Sequence, residues 1–196
     1  MLINIDELRS EVLKNLDENE ENLRDRMQFG QPDAGIPELI DSLLPDEAAE
    51  VMLLTPLSDI DEWEEWDAEA EWISPGSGSV RLPSDFLRMI VFRMSDWKRS
   101  VSRFISPDSE EFQLRFSPGL YRRNLRKAPA AAICAGSRRG ELLFIGSSDP
   151  GACVERFGYL PRPDARGDGE LWIPRSLRKR VAEAVAARIR RIKDFE

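Results

Sequence analysis

The chain has 196 residues, 41% of them hydrophobic, which is enough for a packed core and argues against wholesale disorder. Residues 1–80 hold 22 acids and four bases, a formal −18, while residues 81–196 hold 24 bases and 14 acids, a formal +10. The complete lack of histidine excludes Ser–His and Cys–His nucleophile activation, imidazole metal ligation and histidine general-base catalysis, while chemistry by carboxylates alone remains open.

The N-terminal segment MLINIDELRSEV lacks a basic region followed by an apolar block, so no export leader is expected. No apolar run approaches the roughly 20 residues needed to cross a bilayer. The expected setting is the inside of a cell, or a particle assembled there. Asn4 can cap a first helix, with Glu7 three residues later reaching back as in a capping box. Ile5, Leu8, Val12 or Leu13, Leu16 and Leu23 follow at helical spacing, and Phe29-Gly30 and Pro32 break the pattern. A second helix begins at Ile36-Pro37-Glu38 and carries Leu39, Ile40, Leu43 and Leu44. Pro45 is expected to reset the chain, so residues 46–54 read as a third helix that ends at Thr55-Pro56.

Residues 59–72, DIDEWEEWDAEAEW, combine eight acids with Trp63, Trp66 and Trp72. Ile60, Trp63 and Trp66 are spaced for a helical turn, and beyond them Ala68, Ala70 and Trp72 alternate with Asp67, Glu69 and Glu71 as in a strand. The expectation is a short helix or turn giving way to an extended segment. SPGSGS at 74–79 reads as a turn or flexible tip, and without a following lysine or a helix-opening spacing it is no phosphate loop.

Met89–Met94 is a strand candidate, with residues 98–105 as its hairpin partner. Asp108 or Ser109 can cap a short helix carrying Phe112 and Leu114, and residues 117–127 form an irregular basic loop. Ala130–Cys134 and Leu142–Ile145 read as a hairpin, Cys153–Leu160 as another strand, and PRPDARGDGE as a loop. Pro174 opens a C-terminal helix with Leu177, Val181, Val185, Ile189 and Ile192 on one face and many arginines on the other. That helix is expected to pack on the N-terminal helices rather than lie on a membrane.

Helices, then strands, then a helix argue an α+β fold with segregated elements. The regions are an acidic helical part (1–72), a β-rich part (73–170) and the C-terminal helix (171–196), one compact domain overall. No catalytic, cofactor or metal residue is assigned. Cys134 and Cys153 are too few for a zinc site, and Asp59-x-Asp61-Glu62 has no calcium-loop pattern. Arg166-Gly167-Asp168 is a chance tripeptide in a chain with no export signal. Tyr121 with Arg122, Arg123, Arg126 and Lys127 could bind single-stranded nucleic acid, but docking on an acidic neighbour fits the overall charge equally well. The interaction candidates from the residues themselves are Trp63, Trp66, Trp72, Arg122, Arg123, Arg126 and Lys127.

Residues 82–101, LPSDFLRMIVFRMSDWKRSV, resemble a segment of the ring or tail-adaptor proteins beneath the portal in tailed phages, crAss-like and related gut phages in particular. The resemblance rests on Leu82, Pro83, Asp85, Phe86, Leu87 and Arg88, then Trp97, Lys98 and Arg99, and on the later APAAAICAGSRRGELLFIG. It covers residues 80–160, contains no catalytic group, and departs from the family in its acidic N-terminal half and arginine-rich C-terminal helix. It implies a helical bundle from both chain ends with an inserted antiparallel β-rich subdomain. It also implies a non-enzymatic virion protein, assembled in the host cytoplasm as a homo-oligomeric ring, dodecameric in that family. Such a ring joins portal to tail and passes genomic DNA through its lumen without specific binding. Asp85, Arg88, Trp97 and Arg99 join the interface candidates on this basis. The alternative from the residues alone is a soluble binding module whose acidic, tryptophan-bearing segment docks a basic partner or mimics DNA.

Overall fold

A computed structural model describes residues 1–16, 35–116, 129–134, 140–147, 149, 151–164 and 169–193. The fold is α+β, and the chain divides into two compact units, Met1–Trp63 with Pro161–Glu196, and Glu64–Leu160. The sequence predicts boundaries after residues 72 and 170, whereas the units divide after Trp63 and Leu160.

The first unit contains β1 (Leu2–Asn4), α1 (Ile5–Asn15), α2 (Ile36–Leu54), a 3-10 turn (Leu57–Asp59), a late strand (Glu170–Trp172), a second 3-10 turn (Arg175–Leu177) and a C-terminal helix (Arg178–Lys193). Asn4 caps α1 as expected, its side-chain oxygen accepting the Asp6 amide at 2.7 Å. Glu7, expected to complete a capping box, instead pairs with Arg178 at 3.1 Å. The C-terminal helix packs on both α1 and α2. Its buried stripe is Val181, Ala182, Val185, Ala186 and Ile189, and the two alanines leave room for close helix approach.

Pro45 does not break the chain into two helices. α2 runs through it, because Ile36, Ile40, Leu44, Ala48 and Met52 form one buried stripe at i, i+4 spacing on both sides of the proline. A proline inside a helix costs about 3 kcal/mol. Each fully buried Ile, Leu or Met returns about 1.5–3 kcal/mol, so packing wins. The late strand pairs antiparallel with β1, with Ile3 opposite Leu171. Both are three-residue strands, too short to show alternation.

The second unit contains β2 (Glu64–Glu65), β3 (Ala70–Ser74), β4 (Ser77–Arg81), β5 (Phe86–Met94), α3 (Glu110–Phe116), β6 (Ala130–Cys134), β7 (Glu141–Ile145) and β8 (Val154–Pro161). The late strand is accordingly β9 and the C-terminal helix α4. One sheet has the order β3-β4-β7-β6 with every neighbour antiparallel, and the other has the order β2-β8-β5. The β6–β7 hairpin and the strands β5 and β8 match the sequence expectation. Ser109 caps α3, its hydroxyl accepting the Phe112 amide at 3.2 Å. The core is aromatic: Phe92 lies 5.4 Å from Trp97, 5.8 Å from Phe144 and 6.0 Å from Phe157, ring centre to ring centre.

Two expectations fail here. Residues 98–105 form no second strand: Val101 makes a single antiparallel bridge to Phe92, and Ile105 makes a parallel bridge to Ala132. The alternation there reflects these two anchor points. Residues 77–79, read as a flexible tip, are buried in β4. Only the Pro75-Gly76 corner turns, with Gly76 at φ 83°. Gly78 is paired within β4 on both sides, and the position must be glycine because Phe144 Cζ and the Glu71 carbonyl both approach to 2.6 Å of where a Cβ would stand.

Candidate functional site

The run 59–72 spans the division between the units and serves two separate purposes. Its first acids belong to the first unit and hold the start of the C-terminal helix. The Asp61 carboxylate accepts the Ser176 amide at 3.2 Å and its hydroxyl at 2.8 Å, and the Asp59 carbonyl accepts the same hydroxyl at 2.9 Å. Arg180 pairs with Asp59 at 3.4 Å, and the Met1 amine pairs with Glu62 at 3.1 Å. Asp61 thus supplies negative charge where the amides of an opening helix are unsatisfied. Slight burial pushes its carboxyl up, but the two Ser176 hydrogen bonds outweigh that and hold it below its ordinary value. The helical turn expected through Ile60, Trp63 and Trp66 is not formed. The 3-10 turn ends at Asp59, Ile60 is buried, and the chain beyond is extended. Capping α4 and burying Ile60 outweigh the local spacing.

The remainder, residues 64–74, forms an outer edge of each sheet of the second unit among the described residues. β2 is the outer strand of the three-stranded sheet, paired to β8 with Glu64 opposite Tyr159. The Trp66 amide continues that edge with a bond to the Phe157 carbonyl at 2.9 Å. β3 is the outer strand of the four-stranded sheet and carries a register irregularity between Trp72 and Ser74. The alternation expected after Trp66 is present: Ala68 and Ala70 pack on the core, while Asp67, Glu69 and Glu71 are exposed. These three carboxylates have no ion pair among the described residues. Glu65 pairs with Arg156 at 3.4 Å.

The tryptophans are not buried with the alanines. Trp66 is 40% exposed, Trp72 37% and Ile73 65%. The Trp72 ring meets Phe144 in a T-shaped contact, 5.6 Å between ring centres, so the side chain is held in place while part of it faces solvent. Among the described residues the surface is an outer strand on each of the two sheets, acidic and studded with apolar groups.

The other candidates scatter. Trp63 is half-buried at the end of the first unit. Asp85 accepts a hydrogen bond from the Tyr159 hydroxyl at 3.1 Å. Arg88 is half-buried in β5, where burial holds its guanidinium below the ordinary value. Trp97 is a core residue, 3% exposed, packed on Phe92 and Phe144, with its indole nitrogen unpartnered among the described residues. Arg99 is exposed. Arg122, Arg123, Arg126 and Lys127, like Arg166–Asp168, lie outside the described residues. The resemblance segment therefore contributes mostly to core and strand, and the acidic edge supplies the exposed surface. Ile73 was missed, although its position beside Trp72 at the end of an alternating run signalled it.

A second feature lies in the first unit. An open groove of about 380 Å³ between α2 and α4 is lined by Glu47, Glu50, Val51, Leu54, Thr55 and Arg180. Leu54 is 76% exposed at its rim. Burial, with help from Glu50, pushes the Glu47 carboxyl above its ordinary value against the pull of Arg188 and Arg191. Among the described residues no three His, Cys, Asp or Glu side chains are placed to hold a metal, and no helix is long and apolar enough to cross a membrane. Comparison with known proteins finds no matching family model and no matching curated sequence.

Proposed function

We propose that the chain is a non-enzymatic structural subunit that assembles with copies of itself, as a head–tail adaptor ring joining portal to tail around a DNA conduit. The observation that carries the self-assembly is the outer edge that residues 64–74 give each sheet among the described residues, where Trp66, Trp72 and Ile73 are exposed beside Asp67, Glu69 and Glu71, which have no ion pair among those residues. Edge strands are ordinarily blunted or covered, and apolar groups held at such an edge gain most by being covered in an assembly. The phage setting rests on the likeness of residues 82–101 to adaptor proteins. An acidic lumen suits DNA passage, because basic walls would hold phosphates. Electron microscopy of the purified protein is expected to show closed rings, and antibody labelling is expected to mark the neck of virions. A protein that sediments as a monomer at every concentration, or that is missing from purified particles, refutes the reading.

A further inference from the structure

The groove between α2 and α4 extends beyond Arg180 and Leu54. A second hollow of about 200 Å³ shares Glu47, Glu50 and Ala184 with it and carries it on to Ala187, Arg188 and Arg191. The two helices run antiparallel here: Leu54 and Arg180 share one end of the groove, and Glu47 pairs with Arg188 at 4.0 Å farther along. From Arg180 to Arg191 it runs about 16 Å, at about 1.5 Å per residue. Ala184 and Ala187 are half-buried in it and have no side chain beyond Cβ to hold another helix away. Its walls are opposite in sign. α2 carries five acids and no base, whereas α4 carries seven bases and one acid. Glu50 and Arg191 are exposed and make no ion pair among the described residues. Leu53 is 47% exposed and Leu54 76%, so the acidic wall also presents apolar surface to solvent.

We infer that this groove seats the same groove of a second copy, in a two-fold contact of four helices. An acidic wall beside a basic wall is self-complementary in one orientation. Turning the second copy about an axis along the groove lays its α2 over this α4, acids against arginines, and its α4 over this α2. Turning it about an axis across the groove sets acid against acid. Charge therefore selects the first. Rotation about the groove axis keeps each residue at its own height. Glu47 of one copy thus comes level with Arg188 of the other, and Glu50 stands about 4.5 Å farther along, within the span of two long side chains. Each Leu54 is covered by the start of the other copy's α4, where Arg180 offers an aliphatic stem. The contact goes beyond the ring reading, because a ring is closed by two unlike surfaces and a two-fold contact stops at two copies.

Sedimentation of the full chain at low salt is expected to show copies paired in twos. Leu54→Ser removes a side chain that is mostly in solvent, so the fold is kept, and is expected to weaken pairing about tenfold. Glu50→Arg and Arg188→Glu each set like charges at both symmetry-related contacts, and each is expected to weaken pairing about tenfold or more. Mixed in equal amounts, these two charge variants again join opposite charges at both contacts, and the mixture is expected to recover most of the wild-type association. A change of fold within one copy cannot produce that recovery. Circular dichroism confirms folding of each variant. A wild type that stays monomeric at every concentration, any folded variant that pairs at wild-type strength, or a mixture that fails to recover overturns the inference. Wild-type rings that are single and indifferent to these changes defeat this contact and spare the ring reading, whereas dimers that never build rings defeat the ring reading and spare this contact.

Discussion

Replacing Asp61 tests whether the first acids of the 59–72 run are structural. Its carboxylate receives two hydrogen bonds from Ser176 at the start of the turn that leads into α4. Losing a helix-capping acceptor costs about 0.5–2 kcal/mol. Asp61 is exposed, so solvent takes back part of that and Asp61→Ala is expected to cost about 1 kcal/mol at pH 7. In a unit of about 100 residues this lowers the melting temperature by about 4–8 °C. Asp61→Asn keeps an acceptor and loses the charge, so it is expected to cost less. The sign of the pH dependence follows from the lowered carboxyl. The charged form's contribution is fully present above the unfolded value of about 3.9 and is lost as pH falls through the lower folded value. The gap between wild type and Asp61→Asn should therefore close in acid. Urea unfolding by circular dichroism gives the overall cost. Because two units need not unfold as one transition, hydrogen exchange at the amides of Leu177 to Val181 localises it to the start of α4. Unchanged exchange there in Asp61→Ala at neutral pH, or an Asp61→Asn gap of equal size at pH 7 and pH 3, would refute the capping role.

Three further substitutions probe the scaffold. Pro45→Ala restores the missing helix hydrogen bond inside α2 and is expected to stabilise the first unit by about 1–3 kcal/mol in urea unfolding, with no gain counting against an uninterrupted buried stripe. Glu47→Gln is expected to raise the unfolding midpoint at pH 7, because the raised carboxyl is penalised in the fold once pH exceeds its folded value. At pH 3, where Glu47 is protonated in both states, the two proteins should coincide. Gly78→Ala sets a Cβ 2.6 Å from both Phe144 Cζ and the Glu71 carbonyl, and is expected to cost about 1–3 kcal/mol in the second unit and to disturb the near-ultraviolet signal of Trp72, while an unperturbed signal would mean the clash is absorbed elsewhere.

Elements with a strong local signal were legible in the sequence. β5, the β6–β7 hairpin and β8 form where runs of strand-favouring apolar residues place them, and the arginine-faced α4 forms where helical spacing does. What local pattern could not reveal was set by distant partners. Pro45 reads as a stop until the buried stripe against α4 is seen to continue past it. Glu7 reads as half of a capping box until Arg178 is found beside it. The β1–β9 pair joins residues far apart in sequence, in strands of three residues each. Trp97 is an interface candidate only through the resemblance of residues 82–101, yet its buried indole packs against Phe92 and Phe144. Of the candidate surface, the alternating acids and tryptophans were legible, but their position on an open edge was not, since an edge is a property of the completed sheet.

The coexistence of acids and tryptophans in one run has a physical resolution in that edge. Exposed strands invite pairing with any other strand, and charge is the common guard against it. A guard of mixed sign would still let two identical edges meet in some register, each acid against a base. Along residues 64–71 every charged side chain is acidic, so no register of two copies of this run sets an acid opposite a base of the same run, and the registers that oppose acid to acid are disfavoured. The apolar groups Trp66, Trp72 and Ile73 keep the edge adhesive toward a strand that brings positive charge. Single-sign charge combined with fixed aromatics therefore suppresses symmetric edge-to-edge dimers while leaving asymmetric contacts open. Such asymmetry is what a closed ring of identical subunits requires, because each copy must offer one surface to the neighbour before it and a different one to the neighbour after it.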